Sequence, residues 1–462
     1  MKLPLSRIAE FVAATGDYDA RAVALGYSID SRTVQPDELF FAVKGERFDG
    51  HDFVEQALNA GAVGAVVRKD QWPRYPLRKG LLAVGDTLVA LQTLATAVRK
   101  LWGKTTVAIT GSMGKTTTKE AMAHLLSVRH RVHRTKGNFN NHFGLPLGLL
   151  TLEPEHDLSV IEMGMSHAGE IAALARIAQP NEGVVTTVAP VHLEYFDSLS
   201  GIARAKYELI EALPPGGAAV LNADDEYVSK FGRDFKGKVV LFGLKVAADV
   251  RAENVKVIGA KGTHFDLVAH GVRQPMQSPL PGLHNVYNAL AAAAVAMEHG
   301  VTASEIAGAL PSIQAADKRG QVVQVRNITV LNDCYNSSPK ALMAAVDTLA
   351  AMPARRRIVV AGEMLELGPT GEQLHRDCGC YIAEKKLEFL LGVRGLAKPM
   401  VETATAAGMK AEFVATPEEA GKWLARETRD GDAVLLKASR GVKLEKALET
   451  WQREVSEGNP ND

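Results

Sequence analysis

The residues with the clearest chemical purpose in this sequence are Gly111-Ser112-Met113-Gly114-Lys115-Thr116-Thr117, between the apolar run Val107-Ala108-Ile109-Thr110 and a helix-like segment, Glu120 to Val128. A strand that ends in a glycine turn and opens a helix presents unpaired backbone N–H groups and a positive dipole end to one point, where phosphates bind. Lys115 then reaches the β- and γ-phosphates of a nucleoside triphosphate, and the Thr116 hydroxyl holds Mg2+. The general pattern places a glycine at the position of Ile109, whereas here the first glycine is Gly111, so the loop is a compact variant. The same residues would also make a plain strand-to-helix turn with a solvated lysine.

A triphosphate-bound Mg2+ needs a second ligand, usually an acid at the end of a neighbouring strand. Leu158-Ser159-Val160-Ile161-Glu162 supplies one, because ligands bind at the carboxyl edge of open α/β sheets. Another apolar strand, Gly183 to Val188, leads to His192, whose neutral imidazole can ligate a metal. Taken singly, Glu162 reads equally as a solvated strand-end carboxylate and His192 as a surface or packing residue.

These residues require a doubly wound sheet to position them. Apolar strands recur at Thr105 to Thr110, Leu158 to Glu162, Gly183 to Val188 and Ala218 to Asn222, separated by helical spacing, which argues for a mostly parallel α/β sheet. Residues 239 to 280 hold shorter strands with Gly and Pro turns, an antiparallel excursion. Pro275, Pro279, Pro281 and Gly282 precede a strongly helical segment that Gly300 is placed to end. Before this unit, Glu38 to Val43 and Gly64 to Val67 read as strands around a helix, Val54 to Ala60. After it, Ile328 to Leu331, Arg357 to Ala361, Phe389 to Gly392 and Ala433 to Lys437 alternate with helices as a second Rossmann-like unit. The expected division is a small α/β domain over 1–84, a central P-loop domain over 85–316 and a C-terminal domain over 317–462. A prior of about 150 residues per domain gives the same rough count for 462 residues. The polar tail from Glu454 to Asp462 is expected to fray.

Composition narrows the class of partner. The chain has 53 basic and 53 acidic side chains, which leaves no field to attract a nucleic-acid backbone. Its three cysteines, Cys334, Cys378 and Cys380, fit a reducing cytoplasm better than a disulfide framework, and Cys378-Gly-Cys380 lacks a partner pair at zinc spacing. Met1 to Arg7 has no signal-peptide core, and the apolar run Ala289 to Met297 is too short to cross a bilayer. A cytoplasmic protein that is not membrane-embedded, acting as a monomer without nucleic acid, is expected.

The combination of motifs resembles the Mur ligases, which build the peptide stem of bacterial peptidoglycan. The resemblance rests on Gly111 to Lys119, Gly137-Asn-Phe-Asn-Asn141 before Gly144-Leu-Pro146, Glu162-Met-Gly164, His192-Leu-Glu194, Ala205-Lys206 and Gly282-Leu-His-Asn-Val-Tyr-Asn288. Asp30-Ser-Arg32 with Asp49-Gly-His-Asp-Phe53 extends it through the first domain, and Lys437-Ala-Ser-Arg440 through the last. Asp333-Cys-Tyr-Asn-Ser-Ser-Pro339 and Gly362-Glu-Met-Leu-Glu-Leu-Gly368 make the chain most similar to the members that join D-alanyl-D-alanine to UDP-MurNAc-tripeptide.

The resemblance implies an ATP-dependent amide ligase with two Mg2+ ions. ATP would meet Gly111, Ser112, Met113, Gly114, Lys115, Thr116 and Thr117 through its phosphates, Asn285 and Asn288 through adenine, and Arg319 and Asp333 near the hinge. Thr116 and Glu162 would hold the first ion, and His192 and Lys206 the second. The family's lysine matching Lys206 is carbamylated, an anion made from its amine and CO2. Lys115, Lys206, His192 and Glu162 are thus the implied catalytic set. Ser31, Arg32, Lys44 and His51 would take the uridine diphosphate, and Asn138, Asn140 and Asn141 the sugar and peptide. Asn336, Ser337, Lys437, Ser439 and Arg440 would line the place of the incoming dipeptide. Short polar loops and helix caps can equally explain the first-domain residues and the asparagines. The chain departs from the family at Met113 and Thr187, where asparagine is usual, at Glu363 for aspartate and at Ala438 for glycine. A ligase adding the third stem residue, a folylpolyglutamate-type ligase and a P-loop NTPase switch are the rival readings.

Overall fold

The computed structural model describes residues 1–76, 78–245 and 248–457. The strand carrying the glycine loop, Thr105–Thr110, is buried on both faces and pairs in parallel with Leu158–Glu162 on one side and Glu182–Val185 on the other. Outward from it the sheet runs to Val132–Arg134 on one flank, and through Ala218–Asn222, Lys238–Gly243 and Val250–Val257 on the other, all in parallel. The chain thus reverses its direction of winding at Thr105–Thr110, the point where open α/β sheets leave a crevice beyond their carboxyl ends. Register brings Ile109 opposite both Glu162 and Val184, so the glycine loop, Glu162 and the segment after Val185 leave the sheet at one edge. Thr263–Ala269 and Val272–Ser278 complete the sheet antiparallel, in the region read as an antiparallel excursion. Pro275 sits there on the edge strand, where a missing N–H is tolerated.

Besides the short antiparallel pairing of Leu3–Pro4 with Val23–Ala24, two smaller sheets accompany this one. Near the N-terminus the order is Thr15–Asp17, Leu81–Val84, Gly64–Arg68, Glu38–Phe41 and Gly26–Ser28, with only the first pairing antiparallel. The C-terminal sheet runs Gln321–Val325, Ile328–Asn332, Ala433–Lys437, Arg357–Gly362, Phe389–Val393 and Ala411–Val414, again with only the first pair antiparallel. The α/β class and the mostly parallel central sheet are as expected from the alternating pattern.

The glycine loop opens the helix Lys115–Leu126, which packs against Leu283–Glu298. The second helix is almost all alanine from Ala289 to Ala296, and every one of those residues is buried. Small side chains let the two backbones approach, and Met122, Leu125 and Leu290 fill the seam, each worth about 1.5–3 kcal/mol of burial. This packing aims the start of both helices at the same sheet edge. Two expectations shift. The strand over 183–188 ends at Val185, because Thr186 and Thr187 spend their backbone groups on the loop: Thr186 N–H donates to Thr110 O at 3.1 Å, and Thr187 O accepts from Ser112 N–H at 2.8 Å. Glu454 to Glu457 remain helical within Glu445–Glu457, a helix pinned by buried Leu448 and Trp451, and the rest of the expected frayed tail lies outside the described residues.

Candidate active site

The glycines of the loop are there for contact as well as conformation. Gly111 has φ +149° and a Cβ on it would lie 1.9 Å from Thr186 Oγ1; at Gly114, φ is +80° and the Cβ would lie 2.4 Å from Asn288 Oδ1. Ile109, one position before Thr110, faces the core and can stay apolar because the tight turn begins only at Gly111. No side chain caps the helix that follows, so its first N–H groups are left for a ligand. Lys115 Nζ donates to Gly111 O at 2.8 Å. Burial lowers its pKa, Glu162 opposes that shift and Arg319 adds to it.

Thr116 Oγ1 donates to Glu162 Oε2 at 2.7 Å, and Asn140 Nδ2 donates to Glu162 Oε1 at 2.8 Å. A hydroxyl and a carboxylate side by side under a phosphate loop are hard oxygen donors that suit Mg2+, which keeps waters and phosphate oxygens in its remaining positions. Among the described residues no three His, Cys, Asp or Glu side chains gather as an all-protein metal cage. Asn140, expected on the substrate, is thereby occupied in orienting Glu162.

Lys206 lies within the helix Leu199–Glu211, 2% exposed, with no hydrogen bond or ion pair to any described residue. Burial and then the nearby Lys115 charge push its pKa well below the ordinary lysine value. His192 Nδ1 lies 2.6 Å from Glu366 Oε2, and both residues have left-handed backbones, φ +56° and +63°. Such strain costs of order 1–3 kcal/mol per residue and collects at functional contacts. This pair joins the central sheet to the C-terminal one, alongside Glu194 N–H on Glu366 O at 3.3 Å and Ser338 Oγ on Met113 Sδ at 3.8 Å. Met113 thus touches the cap of the helix Pro339–Ala350 across the gap.

The carboxyl edges of the central and C-terminal sheets face each other across a cavity of about 920 Å3. On the C-terminal wall Lys437 Nζ donates to Asp333 Oδ2 at 2.5 Å and to Asn336 O at 3.1 Å. The Arg319 guanidinium lies 3.9 Å, and that of Arg440 5.7 Å, from the Tyr335 ring centre. Ser439 Oγ accepts from Leu365 N–H at 2.9 Å. Asn285 and Asn288 hydrogen-bond to each other at 2.9 Å, and Thr118 Oγ1 donates to Asn288 at 3.2 Å; each amide retains donor or acceptor capacity. The buried oxygens Thr187 Oγ1 and Ser337 Oγ, and His284 Nδ1, have no hydrogen-bond partner among the described residues, and all three residues line this cavity. Orphaned polar atoms around a phosphate loop fit a polar ligand such as a nucleotide.

The sequence-derived candidates divide sharply. Ser112, Met113, Gly114, Lys115, Thr117, Glu162, His192, Asn138, Asn140, Asn141, Asn285, Asn288, Arg319, Asp333, Asn336, Ser337, Lys437, Ser439 and Arg440 all line the one cavity. Asn141 also caps the helix Gly144–Leu150, accepting from Gly144 N–H at 2.8 Å. Ser31, Arg32, Lys44 and His51 lie outside the cavity. His51 is 1% exposed, its Nε2 accepts from Arg68 N–H at 3.0 Å, and its Nδ1 therefore carries the proton toward Asp49 at 2.6 Å. Both nitrogens are spent on the fold, and none is left for a uridine diphosphate. Ser31 is buried with its Oγ donating to Gln56 Oε1 at 3.1 Å, Arg32 is paired with Asp30, and Lys44 is exposed.

Three participants were missed. Tyr335 is the plate between two arginines, and Glu366 is the carboxylate on His192; both lay in motifs that had been singled out. Lys119, buried under the loop helix, donates to Thr135 O at 2.6 Å and Gly137 O at 3.2 Å and so holds the approach to Asn138. Its signal was a second lysine four residues after Lys115, one helical turn inward.

Residues 25–97, 109–296 and 318–440 match, respectively, the Mur ligase family catalytic domain, the Mur ligase middle domain and the Mur ligase glutamate ligase domain. UDP-N-acetylmuramoyl-tripeptide–D-alanyl-D-alanine ligase of Bacillus subtilis is 34% identical over 97% of this chain and 98% of that protein. The crystal structure of MurF from Acinetobacter baumannii superposes with a TM-score of 0.88 at 29% identity, covering 98% of this chain and 99% of that one. MurF ligase from Thermotoga maritima in complex with ADP gives 0.82 at 28% identity, over 94% and 99%. No described helix is long and apolar enough to cross a membrane. With the phosphate loop, the Thr116–Glu162 pair and the opposed C-terminal wall in place over nearly the whole length of such relatives, this chain belongs to the Mur ligase family.

Proposed function

We propose that the chain is an ATP-dependent ligase that joins the amine of D-alanyl-D-alanine to the terminal carboxylate of UDP-MurNAc-tripeptide, giving UDP-MurNAc-pentapeptide, ADP and phosphate in peptidoglycan synthesis. The observation that carries the reading is the single cavity shared by the phosphate loop with its Thr116–Glu162 pair and by the Asp333–Lys437 wall of the opposite sheet. A carboxylate cannot expel oxide, so its oxygen must first attack the γ-phosphorus and release ADP. The amine then attacks the acyl carbon, and the C–O bond to phosphate breaks. Lys115 and the loop N–H groups hold the phosphoryl oxygens as charge moves to them. Thr116 and Glu162 would hold a Mg2+ ion, which would supply further positive charge there. Asn285 and Asn288 orient the adenine end, and Arg319 and Asp333 the hinge side.

Lys206 supports a second ion site only after modification. Burial disfavours the charged form of its amine; the neutral amine is the nucleophile for CO2, and the carbamate formed would add the anionic oxygen that His192 alone does not provide. Glu366 on His192 Nδ1 would turn Nε2 toward that site, the arrangement by which carboxylates commonly orient metal-binding histidines. Residues 1–84 are assigned to the nucleotide end of the substrate, 85–316 to ATP, and 317–462 to the dipeptide. Closure of the C-terminal unit through Glu366 and Ser338 aligns three substrates.

Phosphate release tests this directly. It should require UDP-MurNAc-tripeptide and D-alanyl-D-alanine together. Release with UDP-MurNAc-dipeptide plus a diamino acid instead would move the chain to the third-residue step, and release with ATP alone would make it an NTPase.

A further inference from the structure

The helix Lys115–Leu126 carries a second lysine, and this one lies outside the cavity. Lys119 is 0% exposed, one turn after Lys115 and about 6 Å further along the axis. An ammonium offers three N–H donors, and three acceptors meet it here: Thr135 O at 2.6 Å, Gly137 O at 3.2 Å and Glu120 Oε1 at 3.1 Å. Its capacity is spent inside the protein, so a phosphate is not its partner. Glu120 in turn lies 2.9 Å from Arg134 Nε, at the end of the strand that runs into Thr135. Burying a charge is costly even when it is paired, and an apolar side chain of similar volume would fill the space at less cost. What an apolar side chain lacks is a hold on two carbonyls of one loop.

That loop reaches the chemistry. From Thr135 the chain turns at Gly137, φ +54°, and arrives at Asn140, whose Nδ2 donates to Glu162 Oε1 at 2.8 Å and whose O accepts from Gly164 N–H at 2.8 Å. Glu162 Oε2 accepts from Thr116 Oγ1 at 2.7 Å, and Thr116 is back on the helix of Lys119. The contacts close a ring that runs from the helix through Lys119, the loop, Asn140 and Glu162 to Thr116. Residues 136–139 are exposed, so the hold on the first half of the loop comes from Lys119 beneath it. This inference rests on the ligase reading through the Mg2+ that Thr116 and Glu162 would hold. We propose that Lys119 is a positioning residue for that ion: by fixing the Thr135 and Gly137 carbonyls to the phosphate-loop helix, it sets the reach of Asn140 and so the direction of the Glu162 carboxylate. A carboxylate held on one oxygen presents the other in a fixed direction, and outer partners of this kind tune metal ligands. The helix that holds the phosphates thus also aims the carboxylate meant for their ion.

The test uses the full chain and an ATP analogue with a non-hydrolysable β,γ bridge, its affinity measured by calorimetry with Mg2+ and with a chelator. Wild type should bind more tightly with Mg2+. Lys119→Met should lose about 10-fold of that gain, the low end for an outer partner of a metal ligand, while the affinity in chelator stays within about 2-fold of wild type. Asn140→Ala should lose a similar amount, and the double variant no more than either alone, because both cut the same ring. If Lys119→Met does not fold, Lys119→Gln, which keeps an N–H for one carbonyl, should lose roughly 3-fold. A Mg2+ gain that survives in the folded Lys119 variant, even with a lower thermal midpoint, makes Lys119 a brace of the fold and overturns the inference. Losses that multiply in the double variant, or that appear equally in chelator, overturn it as well. Wild type that binds the analogue equally with and without Mg2+ overturns the Mg2+ reading of Thr116 and Glu162, and this inference with it.

Discussion

The central sheet edge and the first domain carry similar polar motifs, yet they use them oppositely. At the central edge Thr116, Glu162 and Lys206 are buried and Lys115 is half-buried; Thr116 bonds to Glu162, and Lys115 and Glu162 line a cavity. In the first domain Asp49 and His51 form an equally tight pair, but the imidazole closes on the backbone N–H of Arg68 and the Tyr75 hydroxyl donates to the His51 carbonyl, so neither ring nitrogen is left outward. A polar cluster is a site when its unsatisfied capacity converges on space, and a structural brace when it converges on backbone. Substitutions at the two places should therefore separate activity from stability.

The largest effect is expected at Lys115→Met. It removes the cation over the phosphoryl oxygens, so kcat should fall by about 10²–10³, while the thermal midpoint holds or rises, because the lysine's burial already works against its charge. Steady-state phosphate release with calorimetry checks both. A drop in stability matching the drop in rate would place Lys115 with the braces.

Lys206→Met sharpens the contrast further, because activity and stability should move in opposite directions. Activity should drop by about 10² if the carbamate supports a metal. Stability in CO2-free buffer should rise, since each unit of pKa depression costs about 1.4 kcal/mol when the protonated chain is the alternative. The native pKa is lowered, so the unfolded chain binds the proton more readily, and wild-type stability should climb with pH from the native value up to 10.5 and level off above it. The variant should lack that slope. Equal slopes in chemical denaturation across pH 7 to about 11 would show that Lys206 is solvated, and with it the carbamate proposal fails.

His51→Ala is the counterpart in the first domain. It strands Arg68 N–H and Asp49 and leaves a void, so about 2–4 kcal/mol of stability should be lost, with KM for the nucleotide substrate unchanged in the folded fraction. A rise in KM without destabilisation would restore His51 to the binding site.

The same contrast explains what was legible in the sequence. Gly111, Gly114, Lys115 and Thr116 were readable because phosphate binding by backbone N–H needs glycine, lysine and hydroxyl at set offsets after a strand. Glu162 was readable because a charged residue closing an apolar strand must emerge at the sheet edge. The strands Thr105–Thr110, Leu158–Glu162 and Ala218–Asn222 have the expected bounds, since two-sided burial writes itself as an apolar run. The surroundings of His51 were not legible because a motif match names a position and not what its nitrogens touch. Its braces, Arg68 N–H and the Tyr75 hydroxyl, come from distant strands and loops with no local signature. Glu366 and Tyr335 were hidden for a related reason: each acts on a partner, His192 or Arg319, that only the facing of two sheets brings near. Met113, unexplained by loop chemistry, has the same origin in Ser338.

The smallest effect is expected where the first domain is most exposed. Arg32 is 81% accessible and bonded through Nε and Nη2 to Asp30, which uses two of its five N–H donors. An exposed pair of this kind contributes little, so Arg32→Gln should leave the thermal midpoint essentially where it is in wild type. Its free donors face solvent rather than the cavity, the one condition under which a first-domain residue could still meet a distant diphosphate. If it does, KM for the nucleotide substrate should rise by about 3- to 5-fold with kcat unchanged, and added salt should shrink the difference. A KM that does not move would leave the first domain without any charged contact among the residues its motifs suggest, apart from Lys44. Recognition of the uridine end would then rest on backbone groups and shape, the kind of contact that a sequence motif does not record.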